Sequence, residues 1–458
     1  MVSTNPARGT RDFLPADVRK RAFVIGIIKD VYESYGFEPL ETPAMENIET
    51  LTGKYGEEGS QLIFRILKRG EKLDYLLRRI SPQLALRDPG AFADLALRYD
   101  LTVPLARVVA NNREELPKFF KRYQIQPVWR ADRPARGRFR EFFQCDVDAI
   151  GSGSMVIEGE ILSAVSEILR RLGFNDFTIR LNDRRVLTDI LEAAGVPGDL
   201  HNEALVAIDK LDKIGAEGVA KELNDRGISE ASSTMLQETF AKTQAAPGRN
   251  EEVNQKILAD LTNVVSEETL ASLGRILRFA DKAPIVLDPS LARGLSYYTG
   301  AIMEINVPDL GGSLGGGGRY DGLIGMFGKV QIPACGFSLG LERILVVMDE
   351  RGMFPPEIAE SASADIMITI FSEETVGESL ELADRLRSDG LRVSVYPQAD
   401  KEDRQWKYAN SIGVKWLCTF DPADFAANMA SFQNLRTKEK FREPISGMAA
   451  KIKEISSQ

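Results

Sequence analysis

The sequence predicts an α+β protein that carries a separate α/β domain at its carboxyl end, and three observations lead there. Two strand-like runs, KRYQIQPVW and FREFFQCDVDAIG, flank a loop rich in Arg, Pro and Gly, as the two arms of a strand pair would. Between Val186 and Ala283 the residues become Ala, Glu, Lys and Leu at helical spacing, which marks a helical insertion. From Asp365 onward, ADIMITIF, SLELADRLRSDG, LRVSVYP, KYANSIG and VKWLCTF alternate strand with helix, the order of an α/β domain.

Along the chain, Val24, Ile27, Ile28, Val31 and Tyr35 predict a helix over Pro15 to Tyr35, with Gly36 placed to end it. FEPLETPAM reads as a short extended segment, broken by Pro39 and Pro43. LRYDLTV reads as a strand with Arg98, Asp100 and Thr102 on one face and Leu97, Tyr99, Leu101 and Val103 on the other. The same alternation in FREFFQCDVDAIG sets Gln144, Asp146 and Asp148 opposite Phe143, Cys145 and Val147. Strand-like sequence resumes at PIVLDP and runs through LARGLSYYTGAIMEI into SLGGGGRYDG. ACGFSLGLERILVVMDE follows with helix-like spacing, and MFPPEIAESASAD reads as a linker.

Composition limits the chemistry. A chain of 458 residues, 43% hydrophobic and 27% charged, is too long for one ordinary domain. No apolar run approaches the ~20 residues of a membrane span, and the first residues lack a secretory core, so a cytoplasmic protein is expected. Cys145, Cys335 and Cys418 are far apart, which supports neither a disulfide framework nor a zinc site. The one histidine, His201, lies in a polar stretch, so a histidine-dependent nucleophilic mechanism has little to stand on. With 58 basic against 67 acidic residues and a net charge of −9, nucleic-acid binding would have to be local.

The polar strand faces are either solvated or the floor of a site for a cationic or amino-bearing ligand. Acidic groups satisfy an ammonium, and arginines satisfy phosphates or carboxylates. The loop RADRPARGRFREF concentrates Arg130, Arg133, Arg136, Arg138 and Arg140 around Pro134 and Gly137, which suits a polyphosphate held beside an amino compound. Arg293 sits with Tyr297 and Tyr298 in a segment patterned for burial, and a buried guanidinium needs an anionic partner. The glycines of SLGGGGRYDG either let backbone approach a ligand or make a tight strand connection; they form neither a Walker loop nor a dinucleotide fingerprint.

WRADRPARGRFREF resembles the second signature of class II aminoacyl-tRNA synthetases, GFSLGLERIL the third, and Leu40 to Pro43 the first, dimer-forming one. RGLSYYTG and GGGGRYDGLIGMFG resemble the two segments peculiar to histidyl-tRNA synthetases, and GTRDFLP and LRYDLT add to the likeness, the latter in the eukaryotic wording. The resemblance runs from Gly9 into the last domain. It implies a mostly antiparallel catalytic sheet over residues 1–185 and 284–350, interrupted by the insertion at 186–283. A linker at 351–364 and an anticodon-binding domain at 365–458 would complete the chain.

The resemblance also implies roles. Arg293 and Arg130 would be catalytic, at the α-phosphate. Asp100, Thr102, Gln144, Asp148, Tyr297 and Tyr298 would bind histidine. Arg130, Asp132, Arg138, Phe142 and Arg343 would bind ATP, with Phe142 stacked on adenine and Mg²⁺ as the accompanying ion; no metal ligand is assigned. The partners implied are tRNA(His), approached by RADRPARGRFREF at its acceptor end and by Lys401, Arg404, Lys407 and Lys415 at its anticodon, and a second copy of the chain. Ser296 stands where the family usually has Asp, and Asp132 where it often has Glu. A non-charging paralogue, the regulatory subunit of ATP phosphoribosyltransferase, is the alternative; it typically lacks the terminal domain and degrades the phosphate-binding arginines, both of which are present here. A tRNA-binding or stress-sensing module of the kind found in some kinases is a third possibility, against which the same arginines count.

Overall fold

The computed structural model describes residues 3–52, 59, 61–79, 92–242, 251–292, 297–328, 330–359, 362–419 and 422–456. Contacts divide the chain into two units, Met1–Met353 and Phe354–Gln458.

The first unit opens with the expected helix, Pro15–Ser34, which buries Val24, Ile28, Val31 and Tyr32 along one stripe. Its strands are β1 (Glu38–Pro39), β2 (Met45–Asn47), β3 (Arg65–Leu67), β4 (Ala93–Leu97), β5 (Phe120–Trp129), β6 (Glu141–Ile150), β7 (Thr178–Asp183), β8 (Ile285–Leu287), β9 (Ala301–Asn306), β10 (Ser313–Arg319) and β11 (Ala334–Gly340). Eight of them form one sheet in the order β1-β5-β6-β11-β10-β9-β7-β8. Only the outermost pairings, β1 with β5 and β7 with β8, are parallel; the inner ones are antiparallel. β2, β4 and β3 make a small separate sheet.

Two local expectations are corrected. LRYDLTV is not a strand throughout: β4 stops at Leu97, and a helix, Thr102–Asn111, starts at the threonine. Asp100 drives the change, because its carboxylate accepts the Val103 N–H at 3.0 Å and so satisfies a donor of the first helical turn. Arg98 is turned into a different network, donating to the Pro127 carbonyl at 2.8 Å and to Gln126 Oε1 at 2.8 Å. In ACGFSLGLERIL the helix begins only at Leu341, and the first half is β11, paired on both edges. The glycine run is likewise a buried strand, β10, between β9 and β11. A Cβ at Gly317 would come within 2.1 Å of the Gly336 carbonyl oxygen, so close approach of neighbouring strands is what the glycine permits there.

Residues 186–283 hold helices, among them Arg184–Ala193, His201–Ile208, Glu230–Lys242 and Glu267–Phe279, and contacts group them with the rest of the first unit. His201 Nε2 lies 3.1 Å from the Val196 carbonyl, a local contact of a helix start. The segment read as a linker carries a short helix, Pro356–Ala359. Among the described residues no helix is long and apolar enough to cross a membrane.

In the second unit β12 (Ile366–Ile368), β13 (Val393–Val395), β14 (Trp416–Thr419), β15 (Met429–Asn434) and β16 (Lys440–Pro444) form a sheet in the order β13-β12-β14-β15-β16. The first pairings are parallel and the last two antiparallel. Ile366, Ile368, Leu382, Trp416, Phe432 and Met448 make its core with the helices Val376–Ser388 and Ile445–Ser456.

One buried ion pair ties helix Val156–Arg171 to β10. Arg319 Nε and Nη2 donate to the two Glu158 oxygens at 2.6 and 2.9 Å, and Nη1 reaches the Ser152 carbonyl at 3.1 Å. Removing one partner of such a pair leaves an uncompensated charge. Glu158→Ala should cost the first unit about 3–5 kcal/mol in urea unfolding; a loss comparable with a surface ion pair, about 0.5 kcal/mol, would show that the pair does not hold the sheet to the helix.

Candidate active site

The floor of the site is written in strand register. Across β5, β6 and β11, Arg122 faces Asp148, which faces Gly336; Gln124 faces Asp146, which faces Ser338. A Cβ at position 336 would sit 1.9 Å from Asp148 Oδ1, so the missing side chain is the space that carboxylate occupies. Arg122, wholly buried, pairs with Asp148 at 2.8 Å. It also donates to Gln124 Oε1 at 3.0 Å and to the Leu101 carbonyl at 3.2 Å, which fixes the turn carrying Asp100 and Thr102 over the floor.

An aromatic wall closes this end. Tyr297 packs edge-on against Tyr298 and Tyr320, with ring centroids 5.1 and 6.0 Å apart, and bonds Thr102 through its hydroxyl. Tyr320 donates its hydroxyl proton to Asp148. Gln144 Nε2 donates to Ser338 Oγ at 2.8 Å and lies 3.4 Å from Asp146 Oδ1.

The other end is basic. Arg130 lies between two rings, its guanidinium carbon 4.2 Å from the Tyr99 centroid and 5.2 Å from that of Phe142. Its Nε donates to the Tyr99 carbonyl at 3.0 Å, which leaves the rest of the head directed along the cleft beside Gln144. Arg138 is exposed on the hairpin loop, and Arg343, from the first turn of helix Leu341–Glu350, donates to the Ser313 carbonyl. Two of the remaining loop arginines are engaged elsewhere: Arg136 pairs with Glu350, and Arg140 donates to the Asp132 carbonyl at 3.2 Å.

Asp100, Thr102, Arg130, Asp132, Arg138, Phe142, Gln144, Asp148, Tyr297, Tyr298 and Arg343 therefore line one cavity of about 320 Å³, together with Asp146, Ser338, Tyr320 and backbone of Gly315, Gly316 and Gly317. Arg293 and Ser296 lie outside the described residues. Asp146 shares the face of Gln144 and Asp148 and was legible by alternation alone; Ser338 and Arg122 enter only through pairing with β6. Tyr320 stood in a quoted motif with no signal pointing to Asp148. Lys401, Arg404, Lys407 and Lys415 are exposed on the second unit, with Arg404 3.2 Å from Asp400.

Burial dominates the electrostatics of the acidic end. It pushes the Asp146 carboxyl up to about 7; Arg122 opposes the shift, and Asp148 adds to it. Burial also raises Asp148, against the pull of Arg122 and the Tyr320 hydrogen bond. A carboxyl raised on folding binds its proton more tightly in the folded chain. Its contribution to stability is thus present at low pH and falls as pH rises from the unfolded value near 4 towards 7. Asp146→Asn should remove that downward slope between pH 5 and pH 7, as read by denaturant unfolding at a series of pH values; an unchanged slope would mean that Asp146 is ionised in the folded protein throughout.

A family model described as histidyl-tRNA synthetase matches residues 71–344, and one described as an anticodon binding domain matches residues 365–455. The chain is 39% identical over 450 residues to the histidine–tRNA ligase of Cytophaga hutchinsonii, covering 95% of this chain and 96% of that one. It is 40% identical over 440 residues to that of Porphyromonas gingivalis, covering 94% and 95%. The crystal structure of histidyl-tRNA synthetase from Nostoc sp. PCC 7120 superposes with a TM-score of 0.79 at 27% identity, over 99% of this chain and 100% of that one. The fold alone is shared, at a TM-score of 0.71 and 19% identity over 92% of this chain and 100% of the other, with an ATP phosphoribosyltransferase regulatory subunit/histidyl-tRNA synthetase from Bacillus halodurans. With the family model matching residues 71–344, which include the residues lining the cleft, and relatives near 40% identical along nearly the whole chain, the protein belongs to the histidyl-tRNA synthetase family.

Proposed function

We propose that the protein joins histidine to ATP as histidyl-adenylate, releasing pyrophosphate, and transfers the histidyl group to the 3′ end of tRNA(His). The observation that carries this reading is the polarity of this cleft. Buried carboxylates and tyrosines line one end, suited to an ammonium and an imidazole, and Arg130, Arg138 and Arg343 line the other, suited to a polyphosphate.

In the first step the histidine carboxylate attacks the α-phosphorus in line and pyrophosphate leaves. The protein need supply no nucleophile; its work is positioning and neutralising charge on the phosphate oxygens. Asp100, Asp148 and Gln144 hold the ammonium, Thr102, Tyr297 and Tyr298 the imidazole side. Arg130 lies at the α-phosphate, with Arg293 assigned beside it on the family resemblance. Arg138 and Arg343 clamp the outer phosphates, which arrive with Mg²⁺ as part of the nucleotide substrate. Phe142 offers a ring to adenine and Asp132 lies beside it. In the second step the terminal ribose hydroxyl attacks the adenylate carbonyl, and its proton passes to the departing phosphate oxygen.

The same reading includes a homodimer formed through Leu40 to Pro43, where β1 is an edge strand, and work in the cytoplasm. It divides tRNA contact between the β5–β6 loop and the second unit, whose Lys401, Lys407 and Lys415 are exposed. Phosphate contacts of this kind weaken with salt.

Histidine-dependent exchange between ATP and pyrophosphate tests the assignment. The parent should exchange, and a non-charging regulatory paralogue would not. Arg130→Ala should lose roughly 100-fold to 1,000-fold in exchange turnover while folding normally, the usual loss for one donor at a developing charge. Removal of Asp365 to Gln458 should abolish tRNA charging and leave exchange largely in place; equal loss of both would count against a divided tRNA site.

A further inference from the structure

The amino-terminal segment GTRDFLP lies against the β5–β6 loop. Its Gly9 carbonyl accepts the Arg140 N–H at 2.8 Å, and a Cβ at Gly9 would stand 2.7 Å from Arg140 Cγ, so glycine permits the close approach. From there Arg and Phe alternate in a ladder drawn from both segments. The Arg11 guanidinium carbon lies 3.6 Å from the Phe139 ring centroid and 4.8 Å from that of Phe13. That of Arg21 lies 4.1 Å from the Phe13 centroid and 4.7 Å from that of Phe143. Arg21 then donates to Glu342 Oε1 at 2.8 Å, and the second oxygen of that carboxylate accepts the Phe143 N–H at 3.0 Å. Three members of this chain adjoin residues of the nucleotide end: Phe139 follows Arg138, Phe143 follows Phe142, and Glu342 precedes Arg343. The loop also lies on the Arg343 stem, since a Cβ at Gly137 would come 3.2 Å from Arg343 Cγ. Arg136 and Glu350 make another tie of the loop, but both are well exposed, and an ion pair in water contributes little.

We propose that Arg11 is a positioning residue for the nucleotide: stacked on Phe139, it holds the β5–β6 loop in the arrangement that presents Arg138 to the outer phosphates before ATP arrives. This rests on the ATP-binding reading above. Arg11 is half-buried and is not among the residues lining the cavity, whereas Phe139 is, so its influence passes through that ring. A loop that must be ordered on binding charges the cost of ordering against affinity, and apparent affinity falls with the fraction of molecules already in the competent arrangement. The stack raises that fraction in the free protein. The histidine end of the cleft is fixed separately, by Arg122 and Asp148, so loss of Arg11 weakens the hold on ATP and leaves the hold on histidine.

The test is histidine-dependent exchange between ATP and pyrophosphate by the full chain, with KM measured for each substrate. Arg11→Ala should raise the KM for ATP about threefold to thirtyfold, the worth of one cation–ring contact in a partly dry setting, with the KM for histidine unchanged. A brace that only kept the chain folded would lower the active fraction, and hence turnover, with both KM values unmoved. Arg11→Lys keeps the charge and the stem but lacks the planar face. It should raise the KM for ATP by a smaller factor, and it provides the reading if Arg11→Ala does not fold. Phe139→Ala and the double variant complete a cycle: if Arg11 acts through Phe139, adding Arg11→Ala to Phe139→Ala should raise the KM for ATP no further. The inference is overturned, and the proposed function left standing, by an unchanged KM for ATP in the variant that gives the reading, by equal rises in both KM values, or by effects that multiply in the double variant. A parent without histidine-dependent exchange overturns both.

Discussion

The pairing of Arg122 with Asp148 inside the β5–β6 hairpin is the constraint around which the cleft is organised. Both groups are withdrawn from water, so neither can move without leaving the other uncompensated. The guanidinium reaches sideways to the Leu101 carbonyl and thereby positions the turn with Asp100 and Thr102, which is remote in sequence from the hairpin. On its far side Asp148 holds Tyr320, and through that ring Tyr297. One ion pair thus connects the strand floor, the helix-starting turn and the aromatic wall.

The same hairpin separates the two electrostatic tasks by distance along one strand. Near the middle of the sheet β6 presents Asp146 and Asp148; at its free end the connecting loop presents Arg130 and Arg138, with Gln144 between them. A neutral amide at the boundary donates to Ser338 and approaches Arg130, and so adds no charge to either end. The strongly buried acids and the partly exposed arginines are therefore kept apart, and neither end cancels the field of the other.

Several features were readable from the chain because they depend on near neighbours. The face shared by Gln144, Asp146 and Asp148 follows from alternation along β6, and helix Pro15–Ser34 from its apolar spacing. The short run around Asp100 misled for an equally local reason. Over a few residues a strand and a helix start carry the same hydrophobic pattern, and only the Asp100 carboxylate bonded to Val103 N–H distinguishes them. ACGFSLG looked helical because its pattern runs into the true helix at Leu341, whereas pairing with β6 and β10 makes it a strand.

By itself the sequence determined the α+β and α/β division, the acidic strand face, the arginine-rich loop and the likeness that led to the family. All of these live in periodicity, composition and motif order, which the covalent chain carries directly. Tertiary structure decided the register that sets Arg122 against Asp148 and Ser338 against Asp146, the use of Gly336 as space for a carboxylate, and the reach of Tyr320 to Asp148. Those relations join residues far apart in the chain. They also set the burial that raises the Asp146 carboxyl, a property that its neighbours in sequence do not specify.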